Sequence, residues 1–181
     1  IRKAQNYRNL LADKRFLESV YAVLSSWGMD RMDGSARLVE FDIFVKSVLD
    51  NAVSLKELAD YKLNRLNEND REIVKDRLSF LFDRLKIMKG KKLVGVSKAL
   101  HHFLPDLMPP IDGTYTLTFF YGNYYYTEDN QKEKFLSIFD EFCDISKRLS
   151  LTKKDLKRKW DTSIPKLIDN AIIGFVSSRK A

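Results

Sequence analysis

Residues 92–121 read KLVGVSKALHHFLPDLMPPIDGTYTLTFFY, and this segment holds most of the chemically distinctive side chains of the chain. Both histidines, His101 and His102, lie in it, together with three of the four prolines. The prolines stiffen a turn that delivers one carboxylate, Asp112, to the start of a following helix. The segment therefore predicts a site that combines a carboxylate, two imidazoles and a nearby cation.

The beginning of this segment is typical of a turn that leads into a helix. Gly95 and Ser97 are turn and cap residues, so we predict a short loop ending at Gly95 and a helix that begins at Ser97 or Lys98. Exposed backbone N–H groups at a helix start can bind a phosphate, and Lys98 would add a positive charge there. The alternative is an ordinary exposed lysine behind a serine cap.

Apolar residues at three- and four-residue spacing extend on both sides of the segment and indicate amphipathic helices. We predict helices over residues 10–27 (one or two), 40–52, 54–63, 70–88, 114–121, 131–149 and 166–176, with a basic helical turn at 152–155. Residues 27–39 lack periodicity and are predicted as a loop. Residues 114–127 have β-propensity that suits a hairpin, but we favour helix for their first half. The predicted fold is all-α or mainly α, with eight or nine helices.

Composition is typical of a globular protein. The chain has 181 residues, 44% hydrophobic and 31% charged, and we expect one helical domain over residues 1–181 with a functional segment at 89–121. The lone cysteine, Cys143, excludes an internal disulfide and a cysteine-built zinc site, which favours a cytoplasmic location. We find no apolar run of about 20 residues and no signal-peptide pattern, so no membrane partner is predicted. Because the chain begins at Ile1 and not at a methionine, the sequence leaves open whether a further segment precedes it.

The formal net charge of +7 predicts attraction to polyanions, above all nucleic acid. A basic protein without such a partner is the alternative. The distribution of charge is more informative than its total, because basic residues cluster in two places. The first cluster, which contains no acidic residue, consists of Arg84, Lys86, Lys89, Lys91, Lys92 and Lys98. The second consists of Lys147, Arg148, Lys153, Lys154, Lys157, Arg158 and Lys159, interrupted by Asp155.

Several candidate residues have an ordinary structural interpretation. Asp112 is a candidate catalytic carboxylate and is equally a favoured N-cap, two roles that are compatible. His101 and His102 point about 100° apart on a helix, which argues against a shared metal site, and no metal or cofactor is predicted. Either histidine shares a helix face with Lys98, but a buried histidine bonded to backbone is also common. An aromatic run offers base stacking or simply core packing: Tyr115, Phe119, Phe120, Tyr121, Tyr124, Tyr125 and Tyr126.

The order GVSKALHHF followed by PPIDGTYT resembles the helix-hairpin-helix DNA glycosylases. The resemblance implies helix-hairpin-helix character around residues 85–121, a hairpin turn at 93–97, Lys98 as the helix-leading lysine and Asp112 as the catalytic carboxylate. It also implies removal of a damaged base that is flipped out of the duplex, with the aspartate either stabilising positive charge on the sugar or activating a nucleophile. The central segment, with RFLESVYAVLSSWGMDRMDG near the N-terminus, also resembles prokaryotic families that suggest no function.

We therefore predict a nucleic-acid-binding helical protein, with DNA favoured over RNA, that is either a base-excision enzyme or an inactive relative. The predicted catalytic residues are Asp112 and Lys98. The predicted nucleic-acid-binding residues are Lys89, Lys91, Lys92, Gly95, Ser97, His101 and His102. One alternative is a non-enzymatic structural or protein-interaction module, and another is a hydrolase of a small phosphorylated ligand. The sequence leaves the substrate and the oligomeric state open.

Overall fold

The structure is a computed structural model and describes residues 4–29 and 36–179. Within these ranges it contains nine α-helices and two three-residue strands, which confirms the predicted mainly α fold. The helices are α1 (Ala4–Ala12), α2 (Lys14–Ser26), α3 (Phe41–Asp50), α4 (Ala52–Leu58), α5 (Glu68–Arg84), α6 (Leu93–Phe103), α7 (Thr118–Tyr121), α8 (Gln131–Arg148) and α9 (Ile164–Ser178). Short 3₁₀ turns cover Leu63–Arg65 and Lys153–Asp155, and a π-helical turn covers Gly113–Leu117.

The two strands lie where no strand was predicted. β1 (Ala36–Leu38) falls in the expected loop, of which residues 30–35 lie outside the described residues. β2 (Met88–Gly90) replaces the end of the helix predicted over 70–88, because α5 stops at Arg84. The strands pair antiparallel with Leu38 opposite Met88. The pairing joins segments about fifty residues apart, so local periodicity could not reveal it.

Helix starts agree with the sequence at some positions and differ at others. Ser163 caps α9, and its hydroxyl accepts the Lys166 N–H at 3.3 Å. Helix α5, predicted from residue 70, begins at Glu68, and its N-cap Asn67 accepts the Asp70 N–H at 2.8 Å. The predicted start at Ser54 is wrong, because α4 begins at Ala52.

Every helix contributes to one cluster of buried apolar side chains, α7 through the partly buried Phe120 and Tyr121. The apolar periodicity of α8 forms a buried helix face, as the sequence predicts. Phe135, Ile138, Phe139 and Phe142 are all fully buried. The centre of the cluster is occupied by α6, whose buried residues are Leu93, Gly95, Val96, Ser97, Ala99, Leu100 and Phe103. Helix α6 is therefore held on several sides, which fixes the position of its few polar side chains.

A charged network ties α5 to α8. The Arg71 guanidinium donates at 2.6 Å to Asp140 and at 2.6 Å to Asp144, and Lys75 lies 2.9 Å from the other Asp140 oxygen. These groups lock two long helices together and do not face the candidate residues of α6. In the part of the chain that the structure describes, we find no helix with both the length and the apolar character needed to cross a bilayer.

Candidate functional site

Lys98 and Asp112 are in direct contact. The Lys98 ammonium lies 3.0 Å from Asp112 Oδ2, and the two side chains are 13% and 28% exposed. Lys98 projects from the middle of α6, and Asp112 ends the extended segment that follows this helix. The structure thus brings together the two residues that the sequence singled out, at a position partly open to solvent.

The backbone around Asp112 is fixed from both sides. Its N–H donates to Thr116 Oγ1 at 3.0 Å, and the preceding Ile111 N–H donates to Ser97 Oγ at 3.1 Å. Pro109 and Pro110 are buried beside them. This bonding holds the carboxylate against α6 without relying on its own ion pair.

The Asp112 side chain also caps the π-helical turn. Its Oδ1 accepts the N–H of Thr114 at 2.8 Å and the N–H of Tyr115 at 3.2 Å. Asp112 is therefore the N-cap of this turn, which confirms the structural role predicted for it. The capping role and the Lys98 contact use different oxygens, so one carboxylate serves both at once.

The predicted turn at residues 93–97 is wrong, because α6 begins at Leu93 and these residues are helical. Gly95 is buried, and a Cβ added there would lie 2.7 Å from Met88 Cγ. Ser97 is fully buried, and its hydroxyl donates to the Val94 carbonyl at 2.9 Å. Gly95 and Ser97 therefore pack inside the protein, and they do not form the phosphate-binding helix start that the sequence suggested.

Trp27, at the C-terminal end of α2, forms one wall of the site. Its indole is 48% exposed, and the Lys98 ammonium lies 4.6 Å from the ring centroid, a cation–π geometry. The His102 imidazole stacks on the same indole at 5.8 Å between centroids. Lys98 is thus held between a carboxylate and an exposed aromatic ring.

His101 has the backbone contact that its structural interpretation suggests. Its Nδ1 lies 2.7 Å from the Met108 carbonyl oxygen. Because a carbonyl only accepts, Nδ1 carries the proton, and the ring is oriented by the chain that leads to Asp112. His101 supports the extended segment, whereas His102 lies against Trp27.

Asp169 on α9 is a further ionisable residue of the site, and our sequence analysis missed it. It is 2% exposed, and its Oδ2 lies 2.6 Å from the Lys166 ammonium. Its Oδ1 is buried without a hydrogen-bond partner among the described residues. The sequence did contain a signal for it. Asp169 lies on the apolar stripe of α9, one turn from both Pro165 and Ile172, and a carboxylate is rare at such a buried position.

Asp112 and Asp169 differ in their protonation behaviour. Burial raises the pKa of Asp112, but the Lys98 charge and hydrogen bond and two backbone N–H groups outweigh it, so the pKa is lowered. Burial likewise raises the pKa of Asp169, and the negative charge of Asp112 raises it further, against the lowering by Lys166 and Lys98. The net pKa of Asp169 is raised. Two carboxyl groups whose pKa values are shifted in opposite directions by their surroundings are typical of acid–base sites.

The three lysines predicted to contact phosphates differ in availability. Lys89 is exposed on β2. The Lys91 and Lys92 ammonium groups lie over aromatic rings, 5.5 Å from the centroid of Tyr126 and 4.7 Å from that of Phe82. Burial lowers the pKa of Lys92. Of these three, Lys89 is the one best placed to meet a polyanion.

The aromatic run divides between core and surface. Tyr115, Phe120 and Tyr126 pack against the core cluster. Tyr124 and Tyr125 are 54% and 69% exposed in the turn before α8. Phe119 is 39% exposed and packs edge-on against Phe120 and Phe175. The rings that could meet a ligand without unpacking the protein are therefore those of Tyr124, Tyr125 and Phe119.

No three His, Cys, Asp or Glu side chains of residues 4–29 and 36–179 are grouped so that they could hold a metal ion. The site consists of two ammonium–carboxylate pairs, Lys98 with Asp112 and Lys166 with Asp169, beside the exposed indole of Trp27.

When the chain is compared with protein-family models, with curated proteins and with solved structures, none of them matches.

Proposed function

We propose that this protein binds nucleic acid, with DNA favoured over RNA, and receives an unpaired base at Trp27, beside Lys98 and Asp112. The observation that carries the proposal is the Lys98 ammonium held between the Asp112 carboxylate at 3.0 Å and the exposed indole at 4.6 Å. An exposed aromatic ring stacks on a base of any sequence, and an adjacent cation suits the neighbouring phosphate. The preference for DNA rests on the glycosylase resemblance.

Base excision is the chemistry that this arrangement would support. The lowered pKa keeps Asp112 ionised at neutral pH, and a fixed carboxylate stabilises positive charge that develops on the sugar as a base leaves. Lys98 would act as a cation, because an ammonium held by a carboxylate has no free electron pair for nucleophilic attack. Asp169 is too buried to touch a substrate and would act by tuning the charge of its neighbours.

A binding test can use the chain's two tryptophans as separate reporters, Trp27 in the site and Trp160 in the second basic cluster. In W160F, Trp27 is the sole indole, and single-stranded DNA should quench its fluorescence saturably and with an affinity that falls as salt rises. RNA of the same sequence should bind more weakly. DNA that quenches Trp160 in W27F but leaves Trp27 unchanged in W160F would overturn the proposed site, and absence of DNA binding would overturn the function.

Matched variants separate a specific surface from general charge. Lys89→Glu and Lys56→Glu change the net charge equally, and both lysines are exposed, but Lys56 lies on α4. We expect DNA affinity to fall at least several-fold more for K89E than for K56E. Equal losses would indicate a non-specific response to net charge.

Catalysis is tested separately from binding with Asp112→Asn, which keeps an oxygen for the cap but removes the charge. If the protein excises bases, D112N should bind DNA at least as tightly as the wild type and lose base release from duplexes with damaged bases. Base release that survives in D112N would remove Asp112 from the chemistry.

A specific observation favours the alternative of a non-enzymatic structural or interaction module. Both Asp112 oxygens already have protein partners, two amides on Oδ1 and the Lys98 ammonium on Oδ2. A carboxylate used in this way can simply hold α6 and the π-helical turn together. In that case D112N would lower stability, and no base release would be found in the wild type.

A further inference from the structure

A groove with a strongly cationic lining lies between the 3₁₀ turn Leu63–Arg65 and the C-terminal end of α8. Its volume is about 630 Å³. The residues that line it include Lys62, Arg65, Ser146, Lys147, Lys153 and Lys154. Five of these side chains are cations and none is a carboxylate, so the groove concentrates positive potential in one concave surface.

Most of these cations are not used by the fold. Among the described residues, only Lys147 of the five forms an ion pair, 2.7 Å from Glu68. Asp155 accepts the Thr152 N–H at 2.8 Å and so caps its own turn. Three further aspartates, Asp60, Asp70 and Asp106, line the adjoining cavity, which Lys62 and Arg65 also border. The negative end of the α8 dipole, worth about half a charge, also opposes an anion here. Lys153 and Lys154 lie on the other side of the groove, away from these aspartates, and form no ion pair with a described residue.

A buried hydroxyl in the lining has no protein partner. Ser146 is 2% exposed, and its Oγ forms no hydrogen bond with any described residue. A hydroxyl left unpaired inside a protein is destabilising, so such a group calls for an explanation. The oxygen is enclosed by protein atoms, and a ligand oxygen in the groove would satisfy it once the Ser146 side chain rotates toward the groove.

The walls of the groove are held in place before any ligand arrives. The Leu63 N–H donates to the Asp106 carbonyl at 2.9 Å, and the Asn64 amide donates to the Leu151 carbonyl at 3.0 Å. The Leu151 N–H donates in turn to the Ser146 carbonyl at 3.0 Å, which closes the end of α8. The backbone of the groove walls therefore does not need to rearrange when a ligand binds, and the entropy cost falls on the lysine and arginine side chains.

We propose that this groove is a phosphate-binding site, separate from the Lys98–Asp112 site and independent of its function. The ligand chemistry is a phosphate group, because a tetrahedral oxyanion accepts from several cations and a hydroxyl at once. The groove is larger than one phosphate, so a nucleotide or a phosphate of a nucleic-acid strand also fits.

The test measures affinity for three probes by titration calorimetry: pyrophosphate, adenosine monophosphate and a single-stranded DNA oligonucleotide. The groove variant is R65Q/K153Q, and the matched control is K157Q/K159Q, which loses the same charge at exposed positions outside the lining. We expect the groove variant to weaken binding at least tenfold and the control about twofold or less. Binding of pyrophosphate or the nucleotide would identify a small phosphorylated ligand, and binding of DNA alone would identify a strand phosphate.

Ser146→Ala tests whether the hydroxyl binds the ligand, because a serine with only a structural role would not affect the affinity for the probe. Removing an unpaired hydroxyl should leave thermal stability unchanged or raised, while the affinity for the bound probe falls about tenfold, the usual effect of one hydrogen bond to a charged group. The proposal is overturned if no probe binds, if the two double variants lose affinity equally, or if S146A binds as tightly as the wild type.

Discussion

Asp112 and Asp169 lie close enough for their charges to interact, yet their surroundings shift the pKa values of the two carboxyl groups in opposite directions. Asp112 is partly exposed and gains an ammonium and two amides, which favour the ionised form. Asp169 is enclosed and has one bonded oxygen and one unpaired oxygen, which favours the protonated form. The difference arises from hydrogen bonding and burial, because both residues have a lysine partner.

The raised pKa of Asp169 predicts a specific pH dependence. Its folded-state pKa lies above the ordinary value of 3.8, so between these two values the folded state binds more protons than the unfolded state. The contribution of Asp169 to stability is therefore fully present below pH 3.8 and is lost as the pH rises through the folded-state pKa.

The variant D169N removes this titration but keeps an oxygen for Lys166, which is 31% exposed and can also turn to water. Urea denaturation from pH 4 to pH 7 should show that the stability difference between D169N and wild type shifts in favour of D169N as the pH rises. A difference that is constant over this range would contradict the raised pKa.

The two roles of Asp112 are separable by stability measurements. D112N removes the ion pair with Lys98 but keeps the cap, and we expect a loss of about 1–3 kcal/mol. D112A removes both and should lose about 1 kcal/mol more, the usual value of an N-cap. Chemical denaturation at pH 7 measures both losses. Equal losses would mean that Oδ1 contributes nothing as a cap.

The sequence was most informative where local periodicity alone determines structure. Helix α8 was predicted over 131–149 and runs over Gln131–Arg148. Its apolar stripe places Phe135, Phe139 and Phe142, which are fully buried, on one face. The proximity of Lys98 and Asp112 was also accessible, since both lie in one short segment that prolines stiffen.

What the sequence did not reveal depends on contacts between distant segments. Gly95 suggested a turn, but it is a helical glycine against which the Met88 side chain of β2 packs closely. Asp169 joins the site only because α9 packs against the π-helical turn, some fifty residues earlier in the chain. Neither contact leaves a periodic signal in one sequence, so neither could be read from local pattern.

The close approach at Gly95 predicts a coupled effect on stability. G95A gains about 1 kcal/mol of helix propensity but brings a Cβ within 2.7 Å of Met88 Cγ, and overpacking of this kind costs about 1–3 kcal/mol. In the M88A background the obstruction is gone, so G95A should become stabilising. Chemical denaturation of the wild type, G95A, M88A and G95A/M88A gives the coupling free energy between the two positions. An identical effect of G95A in both backgrounds would show that Met88 does not constrain this position.

The backbone at the end of α8 predicts a stabilising substitution. Ser150 has φ of 49°, and its N–H and that of Leu151 donate to the Lys147 and Ser146 carbonyls in the manner of a helix-ending motif that normally uses glycine. A side chain in this left-handed conformation costs about 1 kcal/mol, so S150G should stabilise the protein by roughly that amount. Ser137→Gly on the exposed face of the same helix is the matched control and should destabilise by about 0.5–1 kcal/mol. Thermal and chemical denaturation should therefore shift in opposite directions for two serine-to-glycine changes in one element, because the sign depends on φ and not on the residue lost. A loss of stability in S150G would show that its side chain contributes more to the fold than its backbone conformation costs.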